Sequence, residues 1–119
     1  MYHPPVAQEK WNALSVIEQM ANIGSEVSRA VNWKQKDEKS MRLALYRALE
    51  LLALSIKDPK NIKGLKELLR VKECIADYFL GDNIYTFTDQ WWQKYFLEYA
   101  IAARSPSAGS GQGTRDNEQ

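Results

Sequence analysis

Between Lys10 and Lys34 apolar residues recur at the spacing of an α-helix and not at that of a strand, which restricts the fold at the outset. With successive residues about 100° apart, Ala13, Val16, Ile17, Met20, Ala21, Ile23, Gly24, Val27, Ala30 and Val31 cover one half of the wheel. Ser15, Glu18, Asn22, Ser25, Arg29 and Asn32 occupy the middle of the other half. That division predicts one amphipathic helix over the whole stretch.

Three further helical patterns follow. From Lys39 to Lys57, Met41, Leu45, Leu49, Leu52 and Ile56 form one stripe, and Leu43, Ala44, Ala48, Leu51 and Leu54 widen it. A helix apolar nearly all round is buried on several sides, so this one belongs at the centre or at a subunit interface. Asp58-Pro59-Lys60-Asn61 stops it, because proline disfavours helical geometry in the residue before it. The third pattern runs from Ile62 or Gly64 to Leu80 with Leu65, Leu68, Leu69, Val71, Ile75, Ala76 and Phe79 inward, and Gly81 fits a left-handed closing position. The fourth starts at an N-cap at Thr88 or Asp89 and reaches Ala103.

Those four segments with short connections predict an all-α fold, an antiparallel up-down four-helix bundle over residues 10–104. A three-helix core with the fourth helix exchanged between subunits is the alternative. Residues 1–9 read as a flexible N-terminus. The Ser/Gly/Pro-rich segment from Ser105 cannot bury enough apolar surface to offset its ordering entropy, so 105–119 reads as a disordered tail.

Charge and composition narrow the function. Lys and Arg number 16 against 15 acids, without the basic excess of a non-specific nucleic-acid binder. The single cysteine, Cys74, lies among Val71, Ile75 and Tyr78 and reads as a buried thiol. The only histidine is His3, so neither a His-dependent nucleophile nor a Glu-x-x-His metal site is available. No phosphate-binding glycine loop or membrane-spanning run is read, and the expectation is a cytoplasmic protein without a secretory leader, cofactor, metal or catalytic residue.

Candidate binding residues come from local departures from these patterns. The polar face of the first helix is short and amidic, with Asn22, Ser25 and Ser28 beside Arg29. Serine and asparagine cost some tenths of a kcal/mol each inside a helix relative to alanine. Gly24, on the apolar half, costs about 1 kcal/mol and suggests a tight helix–helix contact. A tolerated surface and a face kept for directed hydrogen bonds both fit.

Nine of the thirteen aromatic residues fall between Tyr78 and Tyr99. Trp92, Tyr95, Phe96 and Tyr99 share one helical stripe and read as core. Trp91 cannot face the same way as its neighbour, so it packs at a flank, covers the preceding loop or meets another molecule. Asp82, Asn83 and Tyr85 are turn chemistry, or polar groups over an aromatic floor. Arg42, Arg47, Lys57, Lys60, Lys63, Lys66, Arg70 and Lys72 are a phosphate patch or, with Glu50, Asp58, Glu67 and Glu73 between them, a mixed solvated surface. Glu18, Glu26 or Asp77 would carry a hydrolase or transferase reaction only from a cleft that raises a carboxyl pKa.

The stretches Leu14–Arg29 and Asp77–Asn83 resemble a family of short uncharacterised prokaryotic four-helix proteins, over roughly Trp11 to Arg104. That resemblance implies no activity. In size and helical layout the chain is also similar to the HEPN bundles that accompany minimal nucleotidyltransferases. Active ribonucleases of that kind carry an arginine followed closely by a histidine, and Arg29, Arg42, Arg47, Arg70 and Arg104 all lack one. The leading expectation is a non-catalytic interaction or accessory module, a homodimer or the partner of another protein. The alternative is a HEPN-like nucleotide- or RNA-binding protein.

Overall fold

Ser15 divides the first helical pattern. In the computed structural model, which describes residues 6–104, the stretch forms two helices, α1 (Gln8–Asn12) and α2 (Val16–Trp33). Ser15 is extended, its Oγ accepts the Glu18 N–H at 3.1 Å, and Glu18 Oε1 accepts the Ser15 N–H at 2.9 Å. This reciprocal capping satisfies donors that a helix start leaves unpaired, so a new helix begins there. The single helix expected from Lys10 to Lys34 is thus corrected to two, and Ala13 is exposed in the break. Helix α1 also begins at Gln8, inside the stretch read as flexible. His3 and the tail 105–119 lie outside the described residues.

Helix α3 (Glu38–Lys57) starts at Asp37, whose carboxylate accepts the Lys39 N–H and the Ser40 hydroxyl. Asp58 then opens a 3₁₀ turn over Pro59–Gly64 by accepting the Lys60 N–H at 3.1 Å. Helix α4 (Leu65–Leu80) follows, starting later than Ile62 or Gly64, and α5 (Asp89–Arg104) completes the chain. Thr88 Oγ1 accepts the Trp91 N–H at 3.1 Å, as the expected N-cap. Among the described residues there are four long helices, one short helix and no strand.

Gly81 does not take the left-handed conformation expected of it; its φ is −105°. The positive φ falls instead at Asn83 (51°) and Thr86 (57°). Asn83 tolerates it because its amide pairs with both backbone groups of Phe87, at 3.0 Å each.

Helix α2 lies between α3 and α5, while α4 packs on α3. The core is continuous across them, with Ile23, Leu45, Leu52, Ile75 and Trp92 all essentially inaccessible. Gly24 allows the approach of α5: a Cβ there would stand 2.6 Å from Phe96 Cβ. The outer face of α3 is not covered, since Leu43 and Tyr46 are each about half exposed.

Candidate functional site

Four polar residues are buried among the described residues: Gln19, Ser55, Asp58 and Asn61. They form one network. Ser55 Oγ accepts the Trp11 indole N–H at 2.9 Å and donates to Gln19 Oε1 at 2.9 Å. The Gln19 amide donates to Asp58 at 2.8 Å and to the Trp11 carbonyl at 3.0 Å. Asn61 donates to Gln19 Oε1 and to the Ser55 carbonyl, both at 2.9 Å. Burial pushes the Asp58 carboxyl up, but hydrogen bonds from Lys60 and Gln19 more than offset this and hold it below its ordinary value. Every member is satisfied, so the network fixes α1, α2, α3 and the 3₁₀ turn relative to one another rather than presenting a reactive group.

A second cluster joins the C-terminal end of α2 to α4 and α5. The Lys34 ammonium donates to Tyr78 Oη at 2.8 Å and to Asp89 at 3.1 Å, and Tyr78 donates to the same carboxylate. Burial lowers the Lys34 pKa, but the Tyr78 and Asp89 hydrogen bonds outweigh it and raise it overall. Burial and the Asp89 hydrogen bond raise the Tyr78 phenol. Lys34 therefore stays charged and Tyr78 neutral, an arrangement that latches helix ends. Neither cluster was legible as a unit in the sequence. The available signal was Gln19, a polar residue on the apolar half between Val16 and Ile23.

Besides a hollow of about 330 Å³ lined by Val16, Met20, Gly64 and Tyr99, a groove open to an occupant runs between α2 and α5. It has a volume of about 490 Å³, with Ala21, Gly24, Ser25 and Ser28 on the α2 side and Phe96, Leu97 and Ala100 on the α5 side. It shares Ala21, Ser25 and Ala100 with a shallower depression of about 290 Å³ that reaches Asn22, Glu18 and Arg104. Trp92 also lines the groove, and its indole N–H is the one buried side-chain polar group without a hydrogen-bond partner among the described residues. Leu97 (52% exposed) and Ile101 (57%) stand one turn apart on α5.

The expected site residues separate. Asn22 and Ser25 line the groove and its extension, though the Asn22 amide (2.8 Å) and the Ser25 hydroxyl (3.3 Å) each donate to a carbonyl one turn back in α2. Arg29 pairs with Glu26 at 2.9 Å and lines a cleft of about 190 Å³ with Asn32, Trp33 and Lys36. Arg70 is exposed on α4. Asp82 is exposed, and Asn83 is occupied by its bonds to Phe87. Tyr85 donates to Glu73 at 2.9 Å. Trp91 packs on Phe87 (4.5 Å between centroids) and stacks on Tyr95 (5.3 Å) while staying 44% exposed, so it covers the preceding loop. Arg70, Asp82, Asn83, Tyr85 and Trp91 line none of these cavities.

Groups considered for chemistry are engaged elsewhere. Glu18 caps α2, Glu26 pairs with Arg29, and Asp77 lies 3.5 Å from the Tyr85 N–H. Cys74 is buried, and burial pushes its thiol up, away from the reactive thiolate. Arg42 and Arg47 pair with Glu38 and Glu50, as a mixed charged surface does. Among the described residues no cluster of His, Cys, Asp and Glu could hold a metal ion, and no helix is long and apolar enough to cross a membrane. No protein-family model, curated protein or solved structure matches the chain.

Proposed function

We propose that this chain is a non-catalytic helical interaction module that holds a protein partner or another copy of itself along the α2–α5 groove. One observation carries the reading: a groove with short side chains on its α2 wall runs beside the exposed Leu97 and Ile101. Short residues let another backbone approach closely, and protruding aliphatic residues at its edge supply apolar area to bury. The framework for this reading is the antiparallel up-down bundle. It is supported by the packing of α2 on both α3 and α5 and by the Lys34–Tyr78–Asp89 latch at one end. Affinity capture tests the reading. Wild-type protein should retain a partner that a folded Leu97→Glu/Ile101→Glu variant loses, and equal retention by both would refute the groove as the docking face.

A second reading, a HEPN-like protein that binds nucleotide or RNA beside a nucleotidyltransferase, is favoured by the Arg29–Asn32–Trp33–Lys36 cleft. There a half-exposed indole stands beside two cations. Titrating tryptophan fluorescence with nucleotides and single-stranded RNA at low ionic strength tests it. A response that Trp33→Leu abolishes and salt weakens supports it, and no response rejects it.

A further inference from the structure

We infer that the occupant of the α2–α5 groove is the α5 ridge of a second copy of this chain, in a two-fold symmetric dimer. The inference rests on the reading of the groove as a docking face and names its partner.

Self-association through a two-fold axis needs a projection and a matching hollow on the same face. Here they lie side by side. Leu97 forms one wall of the groove and, with Ile101, projects from it, while Ala21, Ser25 and Ala100 leave the hollow. When two α2–α5 layers stack face to face, offset by half the spacing between helices, each α5 lies over the other copy's groove. Both hollows are then filled by the same pair of side chains.

Charge agrees with this pairing. Lys94 and Arg104 line the α5 edge of the groove and its extension and make no ion pair among the described residues. Glu18 stands on the α2 edge. An α5 approaching the partner's α2 brings basic groups towards that carboxylate.

Size sets the strength. Helix α2 has 18 residues, so it is about 27 Å long at about 1.5 Å per residue. Two helices side by side are roughly 20 Å wide, and an offset of about 5 Å leaves roughly 15 Å shared, a flat footprint of about 400 Å² per copy. A standard stable interface buries about 800 Å² per partner. The footprint therefore places the dimer among concentration-dependent rather than obligate assemblies.

Light scattering coupled to size exclusion, over roughly 1 to 500 µM protein, tests the inference. The mass should rise from 13.7 kDa towards twice that value as concentration increases. Leu97→Glu/Ile101→Glu should stay at 13.7 kDa throughout. A mixture of Ser25→Cys and Leu97→Cys chains should form an intermolecular disulfide on mild oxidation, with wild type, whose only thiol is the buried Cys74, as control. This second experiment keeps the test informative if the Glu variant fails to fold. A wild-type mass of 13.7 kDa at every concentration overturns the inference. So does a dimer that survives the Glu substitutions and gives no cross-link. If the wild type is monomeric but still captures a protein in a Leu97-dependent way, the second copy is the wrong occupant and the docking face stands. If capture is also lost, both readings fall.

Discussion

Replacing Gly24 by alanine tests the packing on which the groove depends. In an exposed helix interior the change would stabilise by about 1 kcal/mol, because alanine restricts the unfolded chain and favours helix. At this position the new Cβ would stand 2.6 Å from Phe96 Cβ and 2.9 Å from two of its ring atoms. Carbon atoms prefer about 3.5–4.0 Å, so α5 must retreat by about 1 Å. The nearest atom is Phe96 Cβ itself, one bond from the backbone, and no rotamer moves it away.

Helix α5 is not free to retreat. Asp89 is held by Lys34 and Tyr78, Tyr95 donates to Glu67 at 2.6 Å, and Trp92 is 1% exposed in the core. Overpacking of this kind costs about 1–3 kcal/mol. With the propensity gain of about 1 kcal/mol subtracted, Gly24→Ala should lose up to about 2 kcal/mol, seen as a Tm drop of up to roughly 10 °C for a domain of this size. Urea denaturation followed by tryptophan fluorescence, at fixed protein concentration, measures it. Gly64→Ala is the control: nothing lies within 4 Å of its added Cβ, and it should change stability by less than about 0.5 kcal/mol. A Gly24→Ala protein more stable than wild type, by the about 1 kcal/mol expected of an uncrowded helix interior, would refute the close-contact reasoning.

Three other outcomes are expected. Ser55→Ala, at a fully buried position, removes a partner from both Trp11 and Gln19 and should cost about 1–3 kcal/mol in a thermal melt; no loss would show that the network does not contribute. The Asp58 carboxyl is held below its ordinary value of 3.8, so its contribution is present above that pH and fades as pH falls through the lower folded value. Asp58→Asn should flatten this part of the acid limb of a stability–pH profile, and an acid limb identical to wild type would contradict the assignment. Trp92→Ala should cost about 3–5 kcal/mol, whereas Trp91→Ala should cost about 1 kcal/mol or less. Comparable losses in the two denaturation curves would overturn the division of the tandem tryptophans into core and surface.

Several structural features were legible residue by residue. The spacing of Met20, Ile23 and Val27 identified the buried side of α2, and Gly24 on that side marked the close approach of α5. Thr88 before Asp89 marked the α5 start, and Trp92, Tyr95, Phe96 and Tyr99 shared a stripe because helical period alone places them there. The break at Ser15 was missed because the apolar rhythm continues across it, while the capping geometry depends on Glu18 turning back on the chain. Gly81 was misassigned because the left-handed conformation was settled by the Asn83–Phe87 pairing, a contact across a loop. For the candidate site, Asn22 and Ser25 were singled out by their unusual polarity. The groove that contains them was not, since half its wall comes from α5.

The sequence by itself determined an all-helical chain and most of the residues that face inward, because these follow from side-chain type and helical period, though not Leu43 or Leu69, which are about half exposed. Only the tertiary structure decided that Gln19, Ser55, Asp58 and Asn61 meet, that Lys34 latches onto Tyr78 and Asp89, and that Leu97 stands beside a hollow of small residues. Gln19 and Ser55 are 36 positions apart and Lys34 and Asp89 are 55. Such distant groups meet only when helices pack, and packing depends on shape as well as polarity.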